Sequence, residues 1–200
     1  MDGTSIAEIP LMLKKEARKI YNKKRQELNY SDQLKWDDLI LINFQTMETP
    51  HLGAVFSFYP MEDRNEVDAL IITDFLRFRN PNLQICYPKM EIKEPNMEAI
   101  ACHADTIFQA NAINILEPLE TEVIDPLDID MVLVPMLVCD VAGNRVGFGK
   151  GYYDRYLSRC RPDCLKVGLS YFTPIDQVED ANELDVPLNF CITPEKVYVF

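Results

Sequence analysis

The sequence has little of what several functional classes require. Its 200 residues include seven glycines, two histidines and one tryptophan, and 20 Lys and Arg are outnumbered by 32 Asp and Glu. The formal net charge of −12 argues against nucleic-acid binding, because proteins that bind a phosphate backbone cluster their Lys and Arg residues. We therefore expect no nucleic-acid partner, and any nucleotide must bind in a local pocket of positive charge.

Signals for zinc and for membranes are equally weak. The six cysteines form no C-x-x-C pair, and with two histidines available a zinc site is not expected. No apolar run approaches the ~20 residues that span a bilayer, and no signal peptide precedes the charged residues 14–16. These absences predict a cytoplasmic protein with reduced thiols and no membrane partner. Its length and 48% hydrophobic content suit one domain, residues 1–200.

Four of the seven glycines lie in one stretch, residues 134–157. An apolar run at residues 131–138 has the length and branching of a buried strand, and an Ala-Gly-Asn turn follows at 142–144. Glycine then alternates with Phe and Lys at 147–151, ahead of a helix-compatible segment at 153–157. Strand, glycine-rich loop and helix start therefore follow one another, which is the order found in phosphate-binding loops.

This loop has the chemistry of a phosphate site. Its glycines let backbone N–H groups approach an anion, the helix N-terminus adds partial positive charge, and Arg145 and Lys150 add full charges. It is not a Walker loop, because Gly151 rather than Ser or Thr follows Lys150, and the third glycine comes one residue too early for a dinucleotide fingerprint. A glycine-rich hairpin is the alternative. The two cations and the Tyr-Tyr-Asp sequence at 152–154 favour phosphate.

The stretch resembles the signature of the 5-formyltetrahydrofolate cyclo-ligases, also called methenyltetrahydrofolate synthetases. That family has a strand ending near Pro, then Asp, a Gly-Asn-Arg-like turn and Gly-x-Gly-Lys/Gly-Gly-Tyr-Tyr-Asp-x-Tyr-Leu. Here these are Pro135, Asp140, residues 143–145 and residues 147–157. The resemblance implies ATP- and Mg²⁺-dependent closure of 5-formyltetrahydrofolate to 5,10-methenyltetrahydrofolate. The formyl oxygen would be phosphorylated, N10 would attack, and ADP and phosphate would be released.

The resemblance also implies the site residues around the nucleotide. Arg145, Lys150 and Tyr153 would be catalytic, and Asp154 would bind Mg²⁺, although an acidic residue there also suits the dipole of a first helical turn. The ATP-binding residues would be Lys14, Arg18, Arg145, Gly147, Phe148, Gly149, Lys150, Gly151, Tyr152 and Tyr153. Lys14 and Arg18 match a Lys-x-x-Leu-Arg element in which Ala17 replaces Leu, and their spacing places both on one helical face.

Two helices are predicted ahead of the first strand. The first begins near Pro10, and its cations, Arg25 among them, cover the faces outside an apolar face formed by Leu13, Ala17, Ile20, Tyr21 and Leu28. On charge alone it could be a solvated amphipathic helix. The second is capped at Ser31-Asp32 and ends at Phe44, with predicted core side chains Leu34, Trp36, Leu39, Ile40, Leu41 and Ile42.

A strand, loop and helix follow at residues 53–78, and then a strand at 84–87 that Pro88 closes. In the family this corner binds folate, and residues 66–69 are similar to its Glu-Val-x-Thr, with Ala in place of Thr. The resemblance implies that the folate is bound by Tyr59, Met61, Glu66 and Tyr152. The Glu66 carboxylate would accept from the N–H donors of the pterin. Without the resemblance, Glu66 could equally stabilise the dipole of a first helical turn.

Strands separated by helices predict an α/β fold: a single domain with a mixed or mostly parallel sheet and helices on both faces. Ligands of such sheets bind at the carboxyl ends of strands, which would bring together the loops after Tyr59 and Val138. Toward the carboxyl terminus the resemblance weakens, because Pro174 replaces the family's Gln, and Asn182 and Leu184 replace Glu and His.

Asp185 remains the implied second Mg²⁺ ligand, with a turn cap before Pro187 as the alternative. The expected partner is 5-formyltetrahydrofolate, with or without a polyglutamate tail, and the expected oligomeric state is a monomer. Two other functions stay open. A phosphate-sensing module would bind ligand without turnover, and a sugar-phosphate isomerase would need no ATP.

Overall fold

The computed structural model of the protein describes residues 11–91, 93–112 and 114–200. Its α-helices are α1 (Lys14–Gln26), α2 (Tyr30–Gln45), α3 (Ala69–Arg79) and α4 (Tyr152–Leu157). Its strands are β1 (Ala54–Phe56), β2 (Gln84–Glu91), β3 (Asn96–Cys102), β4 (Phe108–Ala110), β5 (Leu116–Pro118), β6 (Val123–Ile124), β7 (Met131–Pro135), β8 (Val138–Cys139), β9 (Arg145–Val146), β10 (Leu165–Leu169), β11 (Phe190–Ile192) and β12 (Val197–Val199).

The main sheet has a parallel centre and antiparallel edges. Strands β11, β10, β7, β1 and β2 are neighbours in that order and run parallel. Antiparallel β12 extends one edge, and antiparallel β3 and β6 extend the other. The pairs β4–β5 and β8–β9 form separate two-stranded sheets. The predicted mixed, mostly parallel sheet is confirmed.

Both faces of this sheet are covered by helices, as predicted. In β7, Leu133 belongs to a buried cluster that includes Ile40 of α2 and Ile72 of α3. Its neighbour Val132 belongs to the cluster on the opposite face, which includes Tyr156 of α4. Successive residues of a strand point to opposite faces, so a strand buried on both sides is apolar throughout. Each fully buried side chain of this kind contributes roughly 1.5–3 kcal/mol to folding.

Helix α1 packs on the β8–β9 hairpin through a stripe narrower than the predicted apolar face. Ala17, Tyr21 and Arg25 are its buried residues, spaced by four. Leu13 and Ile20, which belong to the predicted apolar face, are 41% and 40% exposed, so that face is only partly buried. Arg25, one of the cations placed outside the predicted apolar face, is 2% exposed. The first predicted helical residue, Pro10, lies outside the described residues.

Two further boundaries differ from prediction. Helix α2 begins at Tyr30, because the side chain of Asn29 caps it by accepting from the Asp32 amide at 2.9 Å. Its Leu34 and Ile42 are about half exposed, since only one face of the helix packs on the sheet. Strand β2 continues through Pro88, which is tolerated because β1 pairs with β2 only as far as Cys86, leaving that side open.

Candidate active site

A cleft of about 480 Å³ opens where β1 and β7 end. All fifteen side chains and glycines predicted to bind ligands line it: Lys14, Arg18, Tyr59, Met61, Glu66, Arg145, Gly147, Phe148, Gly149, Lys150, Gly151, Tyr152, Tyr153, Asp154 and Asp185. The loops after Tyr59 and Val138 therefore meet, as the sheet topology requires. Which atom of a ligand each residue contacts stays a prediction.

The turn that leads into the glycine loop is organised by Asp140. This carboxylate is fully buried and accepts from the amides of Ala142, Asn144 and Val178 and from the Asn144 side chain, at 2.8–3.0 Å. Four donors satisfy a buried acceptor-only group, and in return they fix the turn. Asp140, part of the signature, thus has a structural function: it sets the direction in which Arg145 of β9 leaves the turn.

The glycine loop is held against α1 by Arg18. Its Nε donates to the carbonyl of Gly147 at 2.8 Å. Gly149 has φ +85° and a Cβ there would lie 3.0 Å from Cζ of Arg18, so both its conformation and the close guanidinium require glycine. Gly151, at φ +70°, precedes α4. A Cβ on Gly147, in contrast, would meet no atom of the described chain within 4 Å.

Lys150 stands apart from the other cations of the loop. Its side chain is exposed, and its ammonium has no hydrogen-bond or ion-pair partner within the part of the chain that the structure describes. Its carbonyl accepts from Nη2 of Arg155 at 2.6 Å, which fixes the backbone of Lys150 and leaves its side chain free. The ammonium is therefore available to an anion in the cleft.

Arg145, which is buried, and Asp154, which is partly exposed, form an ion pair in the loop. Nη2 of Arg145 lies 2.5 Å from Oδ1 of Asp154, and Nη1 donates to the carbonyl of Val186 at 2.5 Å. Burial lowers the pKa of Arg145, and the Asp154 carboxylate opposes that shift. Oδ1 of Asp154 also accepts from the Val186 amide at 3.2 Å, whereas Oδ2 has no partner among the described residues. One carboxylate oxygen therefore stays available to the cleft.

Lys14 and Asp185 form a second pair beside the first, since Asp185 directly precedes Val186, which bonds both Arg145 and Asp154. Nζ of Lys14 lies 2.6 and 2.5 Å from the two carboxylate oxygens. Burial would raise the pKa of Asp185, but Lys14, the Asn182 amide and the charge of Arg145 together hold it below its ordinary value. Asp185 does receive the Asn182 amide at 2.7 Å, as a turn cap would, and it also positions a predicted ATP ligand.

Glu66 lies at the other end of the cleft. Helix α3 begins at Ala69 with Asp68 as its cap, so Glu66 stands in the preceding loop and not in a first helical turn. Stabilisation of the helix dipole therefore does not explain it. The side chain is 5% exposed; Oε2 accepts from the Met61 amide at 2.9 Å, and Oε1 has no partner among the described residues. A buried acceptor without a donor is costly unless a ligand supplies one.

Aromatic and apolar side chains connect the two ends. Tyr153 is partly buried against the sheet, with its ring stacked on Phe56 at 6.4 Å between centroids, and burial raises its pKa strongly. Tyr152 lies at the rim, where its hydroxyl donates to the Glu91 carbonyl at 3.3 Å. Tyr59 packs against Phe108 at 5.0 Å. Both tyrosines of the signature thus line the cleft, at different depths.

Some lining residues were missed by the sequence analysis. They are Phe58, Arg64, Pro88, Met90, Met97, Ile115 and Pro135. Met90 belongs to the part of β2 beyond Pro88, where a strand end was wrongly predicted, and Met97 belongs to its partner β3. The apolar wall is therefore built by a hairpin for which the sequence offered only weak signals.

Neither a metal cluster nor a membrane helix is present in the part of the chain that the structure describes. No three His, Cys, Asp or Glu side chains there converge as metal ligands. No helix there is long and apolar enough to cross a bilayer.

Comparison with known proteins gives a consistent set of similarities. The model of the 5-formyltetrahydrofolate cyclo-ligase family matches residues 13–194. The 5-formyltetrahydrofolate cyclo-ligase of Mycoplasma genitalium is 32% identical over 162 residues, which cover 79% of this chain and 84% of the relative.

Two solved structures are similar in fold. One is the NMR structure of the 5,10-methenyltetrahydrofolate synthetase of Aquifex aeolicus, with a TM-score of 0.75 and 29% identity over 94% of this chain and 93% of that one. The other is the Mycoplasma pneumoniae synthetase, with a TM-score of 0.69 over 90% of this chain and 98% of that one. At 24% identity the latter supports the fold alone.

Proposed function

The chain belongs to the 5-formyltetrahydrofolate cyclo-ligase family, and from this premise we propose that it uses ATP to close 5-formyltetrahydrofolate to 5,10-methenyltetrahydrofolate. The observation that carries the proposal is the meeting of two unlike regions in one cleft. A glycine loop with cations suits a polyphosphate, and a buried carboxylate with apolar walls suits a flat heterocycle with N–H donors.

The reaction needs activation of a poor electrophile. Transfer of the γ-phosphate of ATP to the formyl oxygen makes that oxygen a good leaving group, N10 attacks the formyl carbon, and phosphate departs. Protein catalysis of phosphoryl transfer consists mainly of positioning groups and neutralising charge. The free ammonium of Lys150 supports its role at the transferred phosphate. Arg18 is fixed by the Gly147 carbonyl and Arg145 by Asp154, so these two side chains would hold the other phosphates of ATP.

Magnesium fits the carboxylates of this site in a limited way. It takes oxygen ligands in an octahedron, with one or two protein carboxylates and the remainder from phosphate and water. Oδ2 of Asp154 meets that requirement, since only Oδ1 is engaged by Arg145 and Val186. Asp185 fits less well, because Lys14 occupies both of its oxygens. We therefore expect Asp154 to be the principal protein ligand, with Mg²⁺ supplying charge neutralisation at the phosphates.

The folate would lie with its pterin at Glu66. Oε1 has no donor among the residues that the structure describes and can accept from the pterin, while Met61 and Tyr59 provide apolar surface. Tyr152 at the rim would contact the part of the folate nearer the glycine loop. This arrangement would bring the formyl group between the pterin corner and Lys150.

One assay tests the proposal directly. Purified protein is incubated with 5-formyltetrahydrofolate and MgATP, and the methenyl chromophore and ADP are measured together. We expect both to form in equal amounts, with dependence on both substrates. Binding of ATP without product would favour the sensing module, and turnover of a sugar phosphate without ATP would favour the isomerase.

The cellular setting of the reaction is part of the same proposal. We expect a cytoplasmic monomer that accepts folate with or without a polyglutamate tail. Size-exclusion chromatography with light scattering measures the oligomeric state, and a comparison of KM for mono- and polyglutamylated substrate measures the preference.

A further inference from the structure

Arg25 is a buried cation in α1 that the signature does not include. It follows Arg18 by seven residues and Lys14 by eleven, which places all three within about 40° on the helix. It is 2% exposed, and its Nε and Nη2 have no hydrogen-bond partner among the described residues. Buried charges are normally paired, so such a group calls for an explanation.

The guanidinium of Arg25 is held by an aromatic ring. It lies 5.5 Å from the ring centroid of Phe148 in the glycine loop, and the guanidinium of Arg64 lies 4.8 Å from the same ring. The carbonyl of Arg25 accepts from Nδ2 of Asn65 at 3.0 Å, which attaches α1 to the residue just before Glu66. Within the described chain no carboxylate is close enough to form a direct ion pair with Arg25.

Glu66 provides the opposite charge at longer range. Burial raises the pKa of Glu66, and the Met61 amide, Arg25 and Arg64 oppose this shift, while Asp63 adds to it. The charge of Glu66 in turn raises the pKa of Arg25, against the effect of burial. The remaining titratable neighbours are Tyr153 and Tyr171. The charge of Glu66 raises the pKa of Tyr153. The hydroxyl of Tyr171 donates to Asp37 at 2.7 Å and to the Glu66 carbonyl at 3.3 Å.

We propose that Arg25 is a positioning residue that keeps Glu66 charged, so that the cleft presents an acceptor-only carboxylate to the N–H donors of the substrate heterocycle. The inference rests on the proposed function. A protonated Glu66 would present a donor to those donors and lose much of its affinity.

The distance between the two groups is part of the proposal. In a direct pair, Arg25 would occupy Oε1 of Glu66 and block the substrate. Held on Phe148 instead, Arg25 lowers the electrostatic cost of the buried anion and leaves Oε1 open. Arg25 therefore acts through Glu66 and does not itself contact the reacting atoms.

The test measures dissociation constants of 5-formyltetrahydrofolate by calorimetry, without ATP, between pH 6.5 and 8.5. For wild-type protein we expect a nearly constant value. Because loss of the cation raises the pKa of Glu66 further, we expect the affinity of Arg25→Gln to start falling at a higher pH than that of wild type, by up to about tenfold per pH unit. Arg25→Lys, which keeps the charge, should behave like wild type.

Three controls accompany these variants. Lys19→Gln removes an exposed cation from the same helix and should leave the profile flat. Glu66→Gln should bind weakly at every pH, and Arg25→Gln in that background should add little further loss and no pH dependence. If Arg25→Gln does not fold, Arg25→Met replaces it, and carbon-detected NMR titration of Glu66 in wild-type protein gives a variant-free result.

The outcomes separate the inference from the function on which it rests. Wild-type protein that neither binds nor converts 5-formyltetrahydrofolate overturns the proposed function. Normal wild-type binding with an Arg25→Gln profile that is unchanged, or lowered equally at all pH values, overturns the inference alone. A Glu66 carboxyl that is protonated at pH 7 in the wild type does the same.

Discussion

The two ends of the cleft are built on opposite principles. At the glycine loop, Arg145 and Lys14 are paired with Asp154 and Asp185 at about 2.5 Å, and Arg18 bonds a carbonyl. At the folate corner, Glu66 and Arg25 have buried atoms that lack hydrogen-bond partners among the described residues. Satisfied pairs hold the phosphate end in shape before ligand arrives, whereas unsatisfied buried groups at the folate corner reduce stability, and a ligand would supply the missing partner of Glu66. Substitutions at the two ends should therefore differ in kind.

Lys150→Ala should have the largest effect, and it should be confined to catalysis. We expect kcat/KM to fall several hundredfold, because the lysine neutralises the transferring phosphate. This fall corresponds to a loss of about 3–4 kcal/mol of transition-state stabilisation. Stability should not change, since the ammonium has no protein partner among the described residues. Steady-state kinetics and thermal unfolding measure both quantities, with exposed Lys15→Ala as the matched control. Near-normal turnover would assign Lys150 to the surface.

Asp37, beneath the folate corner, predicts an unusual pH dependence of stability. Burial raises its pKa to about 6 from an ordinary 3.8, despite bonds from Tyr171 and the Asp68 amide. The folded state therefore holds this proton more tightly than the unfolded state, and the resulting stability, about 3 kcal/mol, is present below pH ~4 and lost as the pH rises to ~6.

Asp37→Asn should remove this dependence, because a carboxamide does not titrate. Urea unfolding of both proteins between pH 4 and 7 measures it, and the difference between their free energies of unfolding cancels the contributions of other carboxylates. Parallel profiles for the two proteins would contradict the expectation.

Glu66→Gln should weaken folate and spare ATP. The amide presents donors to the donors of the pterin, so we expect a loss of about 2 kcal/mol, or roughly thirtyfold, in folate affinity. The ATP constant should stay within about twofold, because the glycine loop is held by its own pairs. Separate titrations with each ligand make the comparison; equal losses for both would make Glu66 a structural residue.

The smallest effects should come from the carboxylates at the phosphate end. Asp154→Asn should raise the Mg²⁺ concentration for half-maximal activity by about tenfold, and Asp185→Asn by about twofold, because Lys14 already occupies the Asp185 oxygens. Excess Mg²⁺ should restore much of the activity of the Asp185 variant. An unchanged titration for Asp185→Asn beside a shifted one for Asp154→Asn would leave Asp185 as a turn cap that positions Lys14.

What could be predicted from the sequence follows the same division. The glycine loop is contiguous, so its turn and helix start were placed correctly from local chemistry. The strand predicted at 131–138 was wrong in its end, because β7 stops at Pro135 and Val138 belongs to β8, which pairs with β9 in a separate sheet. The pairing of Lys14 with Asp185 spans 171 residues and has no local signal. Glu66 was misplaced at a helix start because the cap is Asp68, two residues later.

Arg25 shows a limit of a different kind. Its spacing from Lys14 and Arg18 was readable, yet a helix with cations on most faces does not reveal which one the sheet will bury. Likewise, the continuation of β2 through Pro88 depends on where β1 stops pairing, which is a property of the assembled sheet.

Gly147 gives the loop a built-in reporter position. A methyl group there would touch no atom of the described residues, so these residues do not require glycine at this site. A loss of ATP affinity in Gly147→Ala would then show how closely a phosphate approaches the backbone at this residue. The size of that loss reports the distance between the bound nucleotide and the loop, and the substitution changes no charge in the site.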